Sequence, residues 1–331
     1  MNSSKAMFYI MMVMSTLMII SSDNLLGMWM GLEINMMSFI PILSKDKSIL
    51  ASESCMIYFL VQSMGSILMI MMILVNSLIN VTPSLINELI TIIIVMSMMI
   101  KLGAPPFHFW FPNILEKMGW SESFILMTWQ KMGPLMITSS IIKDQYIMIP
   151  LVILSVTVGA IGGLNQTSVK KIMAYSSISH LGWMIMCMKF NNQLWLTYLT
   201  IYSMIILMMI LMFKNYSSNY INQVNIENPS LTEKMMISSS FLSLGGLPPF
   251  IGFLPKWMVI QNMIMSDSFS TLLVMILSTL ITLFFYTRIM SSSFLISFAS
   301  TKWMLNKKTN SFSLKILITN MILPIMMIIS Y

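Results

Sequence analysis

The segment KLGAPPFHFWFP, residues 101–112, most constrains the fold because it interrupts a long apolar run with two consecutive prolines. Pro105 and Pro106 have no backbone N–H, so a helix passing through them leaves the carbonyls of Lys101 and Leu102 without their usual donors. A bilayer tolerates such a break only where protein or a water-filled cavity, rather than lipid, meets the backbone. We therefore expect the rest of the chain to build a protein environment around this break.

Composition places the chain in the membrane. Of its 331 residues, 57% are hydrophobic and 9% are charged, and the mean hydropathy is +0.83, values typical of integral membrane proteins. The first apolar run is interpreted as a true span, because no small-residue cleavage site follows it. The 2 cysteines, Cys55 and Cys187, are too few for an iron–sulfur cluster or a disulfide framework.

We predict an all-α, polytopic membrane protein, a single integral membrane domain over residues 1–331 with about eleven transmembrane helices. Each span needs about 20 residues to cross the hydrocarbon. Two spans exceed 30 residues and are expected to consist of two half-helices each. The predicted spans are 6–21, 25–43, 53–75, 85–117 (broken), 121–142, 147–164, 168–188, 193–213, 232–265 (broken), 268–290 and 313–331.

The positive charges support this layout. When the loops alternate between two sides, the side with the N-terminus holds 13 of the 18 lysines and arginines, and the other side holds 2. Because basic loops stay on the cytoplasmic or matrix side, the N-terminus is expected there. The net charge of +7 then reflects loop topology and implies no nucleic-acid partner.

A short internal repeat relates the two broken spans. GAPPFHFWFPN (103–113) aligns with GLPPFIGFLPK (246–256) at an offset of 143. The copies lie five spans apart and therefore cross in opposite directions. This divides the chain into inverted halves at roughly 1–143 and 144–290, followed by a C-terminal helix at 313–331. Interrupted helices in inverted halves indicate an ion path near the bilayer midplane; the alternative is a chance recurrence of an apolar turn.

Ionisable residues inside the predicted spans form the candidate site. Each costs at least ~2.5 kcal/mol at membrane depth, so such residues face the interior and usually mark ion pathways. A pair of a glutamate and a lysine that opens and closes would load and release a proton near neutral pH. The candidates are Glu33, Lys101, Lys131, His180 and Lys256, with Thr128, Ser176 and Ser177 as hydroxyls that would hold connecting waters.

Structural roles are the alternatives at each position. Glu33 and one lysine would form a static ion pair that fixes helix packing, and Lys256, close to a bend, would snorkel to the interface. His180 would be a hydrogen-bonded packing residue. For His108, which follows the first break, the packing interpretation is favoured. Two isolated histidines do not favour a metal or haem site.

Five longer motifs follow one another along the chain. They are GLEIN (31–35), KLGAPPFHFWFP (101–112), TWQK (128–131), GGLNQTSVKKIMAYSSISHLGWM (162–184) and LGGLPPFIGFLPKW (244–257). Together they resemble the NADH dehydrogenase subunit 2 family, the mitochondrially encoded, antiporter-like subunits of respiratory complex I, in an insect-like form. The resemblance runs over about residues 23–290. One departure is the adjacent Pro105 and Pro106, where the family usually has a small residue and a single proline.

The resemblance implies eleven helices in two inverted five-helix repeats, and it implies a proton path. Glu33 and Lys101 would form the pair whose coupling changes during turnover. Lys131 and His180 would pass the proton along a central hydrophilic axis towards Lys256. The implied function is that of a proton-translocating membrane-arm subunit of NADH:ubiquinone oxidoreductase.

The resemblance also implies a location and partners. The location is the mitochondrial inner membrane, with the N-terminus in the matrix and the C-terminus in the intermembrane space. The partners are NADH dehydrogenase subunits 4 and 4L, accessory subunits and lipids including cardiolipin. NAD, FMN, iron–sulfur clusters and ubiquinone would be bound by other subunits, and no cofactor by this chain. Two other functions remain open, a stand-alone cation/proton antiporter and a structural assembly subunit, although three buried lysines argue against the second.

Overall fold

The computed structural model describes residues 3–44, 48–78, 84–141, 145–215, 218–226, 231–298 and 319–320. Within these ranges the chain is all-α, apart from an isolated antiparallel bridge between Ser168 and Tyr220. The chain forms two compact units, Met1–Leu151 and Val152–Tyr331. Their boundary lies close to the predicted division of the chain at 143/144, while the inverted relation of the two halves stays a prediction.

Helices make up nearly all of the described residues of both units. The first unit contains α1 (Ser3–Ser21), α2 (Leu25–Leu43), α3 (Ile49–Leu78), α4 (Ser84–Leu102), α5 (Trp110–Lys117), α6 (Trp120–Met127) and α7 (Trp129–Ile141). Helix α8 (Gln145–Gly162) begins in the first unit and ends in the second. The second unit continues with α9 (Val169–Phe190), α10 (Asn192–Asn215), α11 (Ile221–Ile226), α12 (Leu231–Gly245), α13 (Phe253–Met265) and α14 (Phe269–Phe298).

Helices occupy ten of the eleven predicted spans, and the eleventh, 313–331, lies outside the described residues apart from 319 and 320. Within the described ranges, four helices are by themselves long and apolar enough to cross a membrane: Leu25–Leu43, Ile49–Ser77, Asn192–Asn215 and Phe269–Ser292. Two shorter apolar helices cover Lys5–Ser21 and Ile147–Gly162. The total of eleven spans therefore stays a prediction.

Both predicted helix breaks are present, and a third occurs in the fifth predicted span. Helix α6 ends at Met127 and is capped by Thr128, whose backbone angles are φ −119° and ψ −69°. The N–H of Lys131 donates to the carbonyl of Thr128 at 3.3 Å, three positions back rather than the four of an α-helix, so the chain tightens at this point. The break separates α6 from α7, which carries Lys131 near its start.

Close backbone approach at glycine brings helices together in the first unit. A Cβ at Gly31 would lie 2.5 Å from Ile19 Cγ1 and 3.1 Å from the carbonyl oxygen of Ser15, so α1 and α2 pack with their backbones near each other, as small residues permit in membrane bundles. The apolar cluster beside this contact consists of Ile19, Leu32, Met69, Ile73, Ile90, Ile94, Met98 and Ile137.

In the second unit, α9 is the most buried long helix among those described, with nearly every side chain from Val169 to Met188 enclosed. It meets α8 backbone to backbone, because a Cβ at Gly159 would lie 2.6 Å from the amide nitrogen of Ser179. Gly182, one turn after Ser179 on α9, leaves room for a side chain of α8, because a Cβ there would lie 2.3 Å from Val156 Cγ2. This packing fixes the helix that carries His180.

Candidate functional site

The helices that lead into the two predicted breaks end in the same backbone motif. Gly103 and Gly246 have positive φ angles of 67° and 74°, a conformation that glycine adopts without steric cost. Each glycine donates its N–H to the carbonyl three positions back, at 3.2 and 3.0 Å, and the next residue donates to the carbonyl five positions back, at 3.0 and 3.2 Å. These two bonds define a Schellman motif, so α4 and α12 end in the same way.

At the first break, a side chain from another helix supplies the missing donor. The Gln62 Nε2 of α3 donates to the carbonyl of Lys101 at 3.0 Å, the carbonyl that Pro105 leaves free. The indole of Trp110 donates to the carbonyl of Ile100 at 3.1 Å. Of the two carbonyls that the proline pair was expected to free, that of Lys101 is therefore satisfied by protein.

At the second break, the donor is a charged side chain from within the same broken span. Lys256, in the first turn of α13, donates from Nζ to the carbonyls of Leu244 at 3.3 Å and Gly245 at 2.8 Å. These are the carbonyls that Pro248 and Pro249 leave free, and Leu244 is the counterpart of Lys101 in the aligned motif. The side chain of Lys256 is 6% exposed, so it does not snorkel, and its Nζ lies 5.9 Å from the ring centroid of Trp183.

Glu33 and Lys101 lie within electrostatic range of each other. Among the described residues they form no ion pair, and the buried Oε1 of Glu33 has no hydrogen-bond partner. The stem of Lys101 lies against Gly65 of α3, where a Cβ would come within 2.9 Å of its Cγ. The arrangement is thus a separated pair rather than the static ion pair considered above.

Lys131 is one of the most deeply buried charged side chains described, at 2% exposure. Its Nζ lies 5.6 Å from the ring centroid of Phe111, a distance typical of a cation–π contact. Its neighbour Gln130 donates to Asn35 Oδ1 at 3.0 Å and accepts from the Tyr58 hydroxyl at 3.2 Å. These bonds tie α7 to α2 and α3 beside Lys131.

His180 lies in the second unit, on α9, at 7% exposure. Its Nδ1 is 2.8 Å from the hydroxyl of Tyr198 on α10, and its ring centroid is 4.9 Å from that of Tyr202. Among the predicted hydroxyls, Ser176 and Ser177 donate to carbonyls of their own helix at 2.8 and 2.7 Å. The histidine therefore has a polar partner that is itself able to donate or accept.

The remaining predicted residues have packing environments. Thr128 donates to the carbonyl of Phe124 at 2.7 Å, four positions back. His108 lies against Phe109 with 4.2 Å between ring centroids. Within the described residues, no group of three or more His, Cys, Asp or Glu side chains is arranged to hold a metal ion.

Several polar residues of the site were not predicted from the sequence. They are Gln62, Tyr58 and Tyr198, which contact predicted residues or their neighbours. Outside the site, Glu122 in the first turn of α6 is a further buried acid, at 5% exposure. Gln62 carried a signal, since it is an amide in the middle of the apolar span 53–75. Tyr58 and Tyr198 gave no such signal, because tyrosine is frequent in membrane proteins without any part in proton transfer.

A cavity of about 460 Å³ lies in the second unit next to the α8–α9 linker. Its arginine is already engaged, because Arg288 donates from Nη1 to the carbonyl of Leu164 and from Nη2 to that of Gln166, the latter at 2.7 Å. Arg288 thus anchors the linker. The cavity is lined by Gln166, Thr167, Tyr220, Ile221, Asn222, Arg288 and Ser292.

Similar folds occur in solved membrane complexes. A chain of respiratory complex I from Thermus thermophilus matches with a TM-score of 0.81 at 18% identity, covering 94% of this chain and 74% of that one. The Mrp complex from Dietzia gives 0.73 at 14% identity, covering 87% and 60%. An archaeal membrane-bound sulfane sulfur reductase gives 0.81 at 14% identity, covering 98% and 72%. At these identities the likeness shows the fold alone.

Sequence comparison is more specific. Residues 22–282 match the family model described as NADH:quinone oxidoreductase/Mrp antiporter, transmembrane. NADH-ubiquinone oxidoreductase chain 2 of Anopheles gambiae is 46% identical and that of Bos taurus 35%, over 94% and 95% of this chain and 93% and 94% of those proteins. The resemblance carried by the five motifs is thereby confirmed, and the chain belongs to the NADH-ubiquinone oxidoreductase chain 2 family.

Proposed function

We propose that the chain is a proton-translocating membrane-arm subunit of NADH:ubiquinone oxidoreductase, respiratory complex I, in the mitochondrial inner membrane. One observation carries the proposal: Lys101, Lys131 and Lys256 are 7%, 2% and 6% exposed, on helices that are mostly apolar. Buried lysines are costly in a membrane and mark ion pathways. The relatives are named for the enzyme that this function serves.

The roles follow from the environment of each residue. Glu33 and Lys101 are the proton-loading pair, because a change in their separation changes how strongly each charge stabilises the other. Lys131 accepts the proton within the first unit. In the second unit, His180 with Tyr198 and Lys256 with its two carbonyls are the proton-carrying groups.

The finer architecture belongs to the same proposal. Eleven spans in two inverted halves place the N-terminus in the matrix and the C-terminus in the intermembrane space, which the distribution of lysine and arginine supports. The partners are subunits 4 and 4L, accessory subunits and lipids including cardiolipin. NAD, FMN, iron–sulfur clusters and ubiquinone are bound elsewhere in the complex. The fold likeness to chains of multi-subunit complexes supports assembly with partners.

The test uses complex I carrying Lys131→Met in this subunit, reconstituted in liposomes. The number of protons translocated per NADH oxidised is expected to fall, while uncoupled quinone reduction is retained. Lys214→Met, at an exposed position at the end of α10, is the matched control. An unchanged proton-to-electron ratio in the Lys131 variant contradicts the proposal.

A second candidate is a stand-alone cation/proton antiporter, favoured by the antiporter family model and by the likeness to the Mrp complex. It predicts that the purified chain alone exchanges protons for a cation across liposomes. A purely structural subunit predicts instead that Glu33→Gln changes neither turnover nor pumping. Pumping that requires the whole complex and is lost in Glu33→Gln excludes both.

A further inference from the structure

We propose that Gln62 and Gly65 of α3 are positioning residues that set the separation between Glu33 and Lys101. This inference rests on the proposed function, because the separation matters only if the pair loads a proton. Among the described residues, neither forms a hydrogen bond to the carboxylate of Glu33. Each acts on Lys101, one through its backbone and the other through its side-chain stem.

The first contact fixes the end of α4. Gln62 Nε2 donates to the carbonyl of Lys101 at 3.0 Å, and both residues are 7% exposed. At the aligned position of the second break, the carbonyl of Leu244 is instead satisfied by Lys256. The lysine of the first break therefore does not complete its own helix end. A neutral amide does so, which leaves the ammonium of Lys101 available for Glu33.

The second contact directs the side chain. Gly65 lies one turn after Gln62, and a Cβ there would come within 2.9 Å of Lys101 Cγ and 3.3 Å of Cε. It would also lie 3.1 Å from the carbonyl of Ser97, so α3 and α4 approach each other closely at this point. Any side chain at position 65 must displace the lysine stem, and with it the ammonium.

The third contact connects α3 to the helix that carries Glu33. Trp29 Nε1 donates to the carbonyl of Ser66 at 3.2 Å, and Trp29 lies one helical turn before Glu33 on α2. The segment 62–66 of α3 is therefore bonded to both helices of the pair. Since Glu33 and Lys101 interact without an ion pair, this segment determines the gap between them.

The experiment compares two variants with a control in reconstituted complex I. Gln62→Met removes the donor at nearly constant length, and Gly65→Ala displaces the lysine stem without removing a hydrogen bond. Met64→Leu on the same helix is the control, because Met64 is 66% exposed. Both variants are expected to lower the proton-to-electron ratio towards that of Lys101→Met and to shift the pH profile of pumping, while quinone reduction is retained.

Each result decides between positioning and packing. If both variants lower only the amount or heat resistance of the complex, with an unchanged ratio and pH profile, the positioning role is wrong. If Gln62→Met does not assemble, Gly65→Ala decides by the same measurements. If Lys101→Met itself keeps full pumping, the proposed function has failed. If Lys101→Met loses pumping while both variants match Met64→Leu, only the inference about α3 has failed.

Discussion

The ammonium of Lys256 lies 2.8 Å from the carbonyl oxygen of Gly245, at the end of a half-helix whose next turn contains prolines without N–H groups. The same Nζ also reaches the carbonyl of Leu244. Cations are favoured at helix C-termini because the last carbonyls carry partial negative charge. Lys256 is therefore both a candidate proton carrier and the group that completes a broken helix, and variants at this position must separate the two roles.

A comparison of Lys256→Met with Lys256→Gln separates the role in proton transfer from the role in completing the helix end. Methionine leaves two buried carbonyls without a donor, each costing about 1–3 kcal/mol, whereas glutamine keeps a neutral donor. We expect both variants to lose pumping and Lys256→Met to lose more heat resistance of the assembled complex. The measurements are proton-to-electron ratio and the dissociation temperature of the complex. Equal dissociation temperatures would show that the carbonyl contacts contribute little.

Gly246→Ala should disrupt the second break. Alanine at a φ of 74° is strained by roughly 1–2 kcal/mol, and its Cβ would lie 2.6 Å from Lys256 Cδ. We expect reduced assembly and reduced pumping, measured as above. Gly27→Ala on α2 is the comparison, since the nearest contact there is Ser22 Cβ at 3.0 Å and the backbone is helical. The prediction fails if both alanines behave alike.

Tyr198→Phe removes the hydroxyl that faces His180 at 2.8 Å and keeps the ring. The histidine then loses a buried polar partner, so we expect slower proton pumping in a complex that still assembles. Pumping and quinone reduction measured together on the same preparation check this. Tyr220→Phe, at a 47% exposed position, serves as the control. Normal pumping in Tyr198→Phe would assign the contact to packing.

Gln130 should be energetically coupled to Tyr58. Gln130→Met removes an acceptor of the Tyr58 hydroxyl and the donor to Asn35, while Tyr58→Phe removes one bond only. Residues in one network typically show interaction energies of about 0.5–3 kcal/mol. The double variant is therefore expected to be less destabilised than the two single effects added together. Dissociation temperatures of the four complexes test this, and additivity would contradict it.

Lys117→Gln should have little effect. Lys117 pairs with Glu53, and their side chains are 22% and 50% exposed. Exposed ion pairs contribute about 0–1 kcal/mol. We expect assembly and pumping close to those of the unaltered chain, with any change in stability reduced further at high salt. A severe assembly defect would mean that Lys117 has a contact role beyond this pair.

The sequence predicted the helix breaks well because their cause is local. Two adjacent prolines after a glycine decide where α4 and α12 end, and the freed carbonyl of Lys101 followed from proline chemistry alone. Its partner Gln62 did not follow, because 39 positions separate the two residues and only packing brings them together. The break at Thr128 was not predicted, because the sequence immediately around it contains no glycine or proline that would signal a helix end.

The backbone that follows the second turn packs more closely than the backbone that follows the first, although the same hydrogen bonds end both helices. At the aligned positions, the first turn has Phe109, 71% exposed, and the second has Gly252, where a Cβ would fall 1.7 Å from the carbonyl oxygen of Ser243. Main chain meets main chain there, so no rotamer change could make room. The two copies of the motif are therefore not interchangeable. In a chimaera that carries the first copy in the second location, a phenylalanine would replace Gly252 and collide with the carbonyl of Ser243, so this turn could not form.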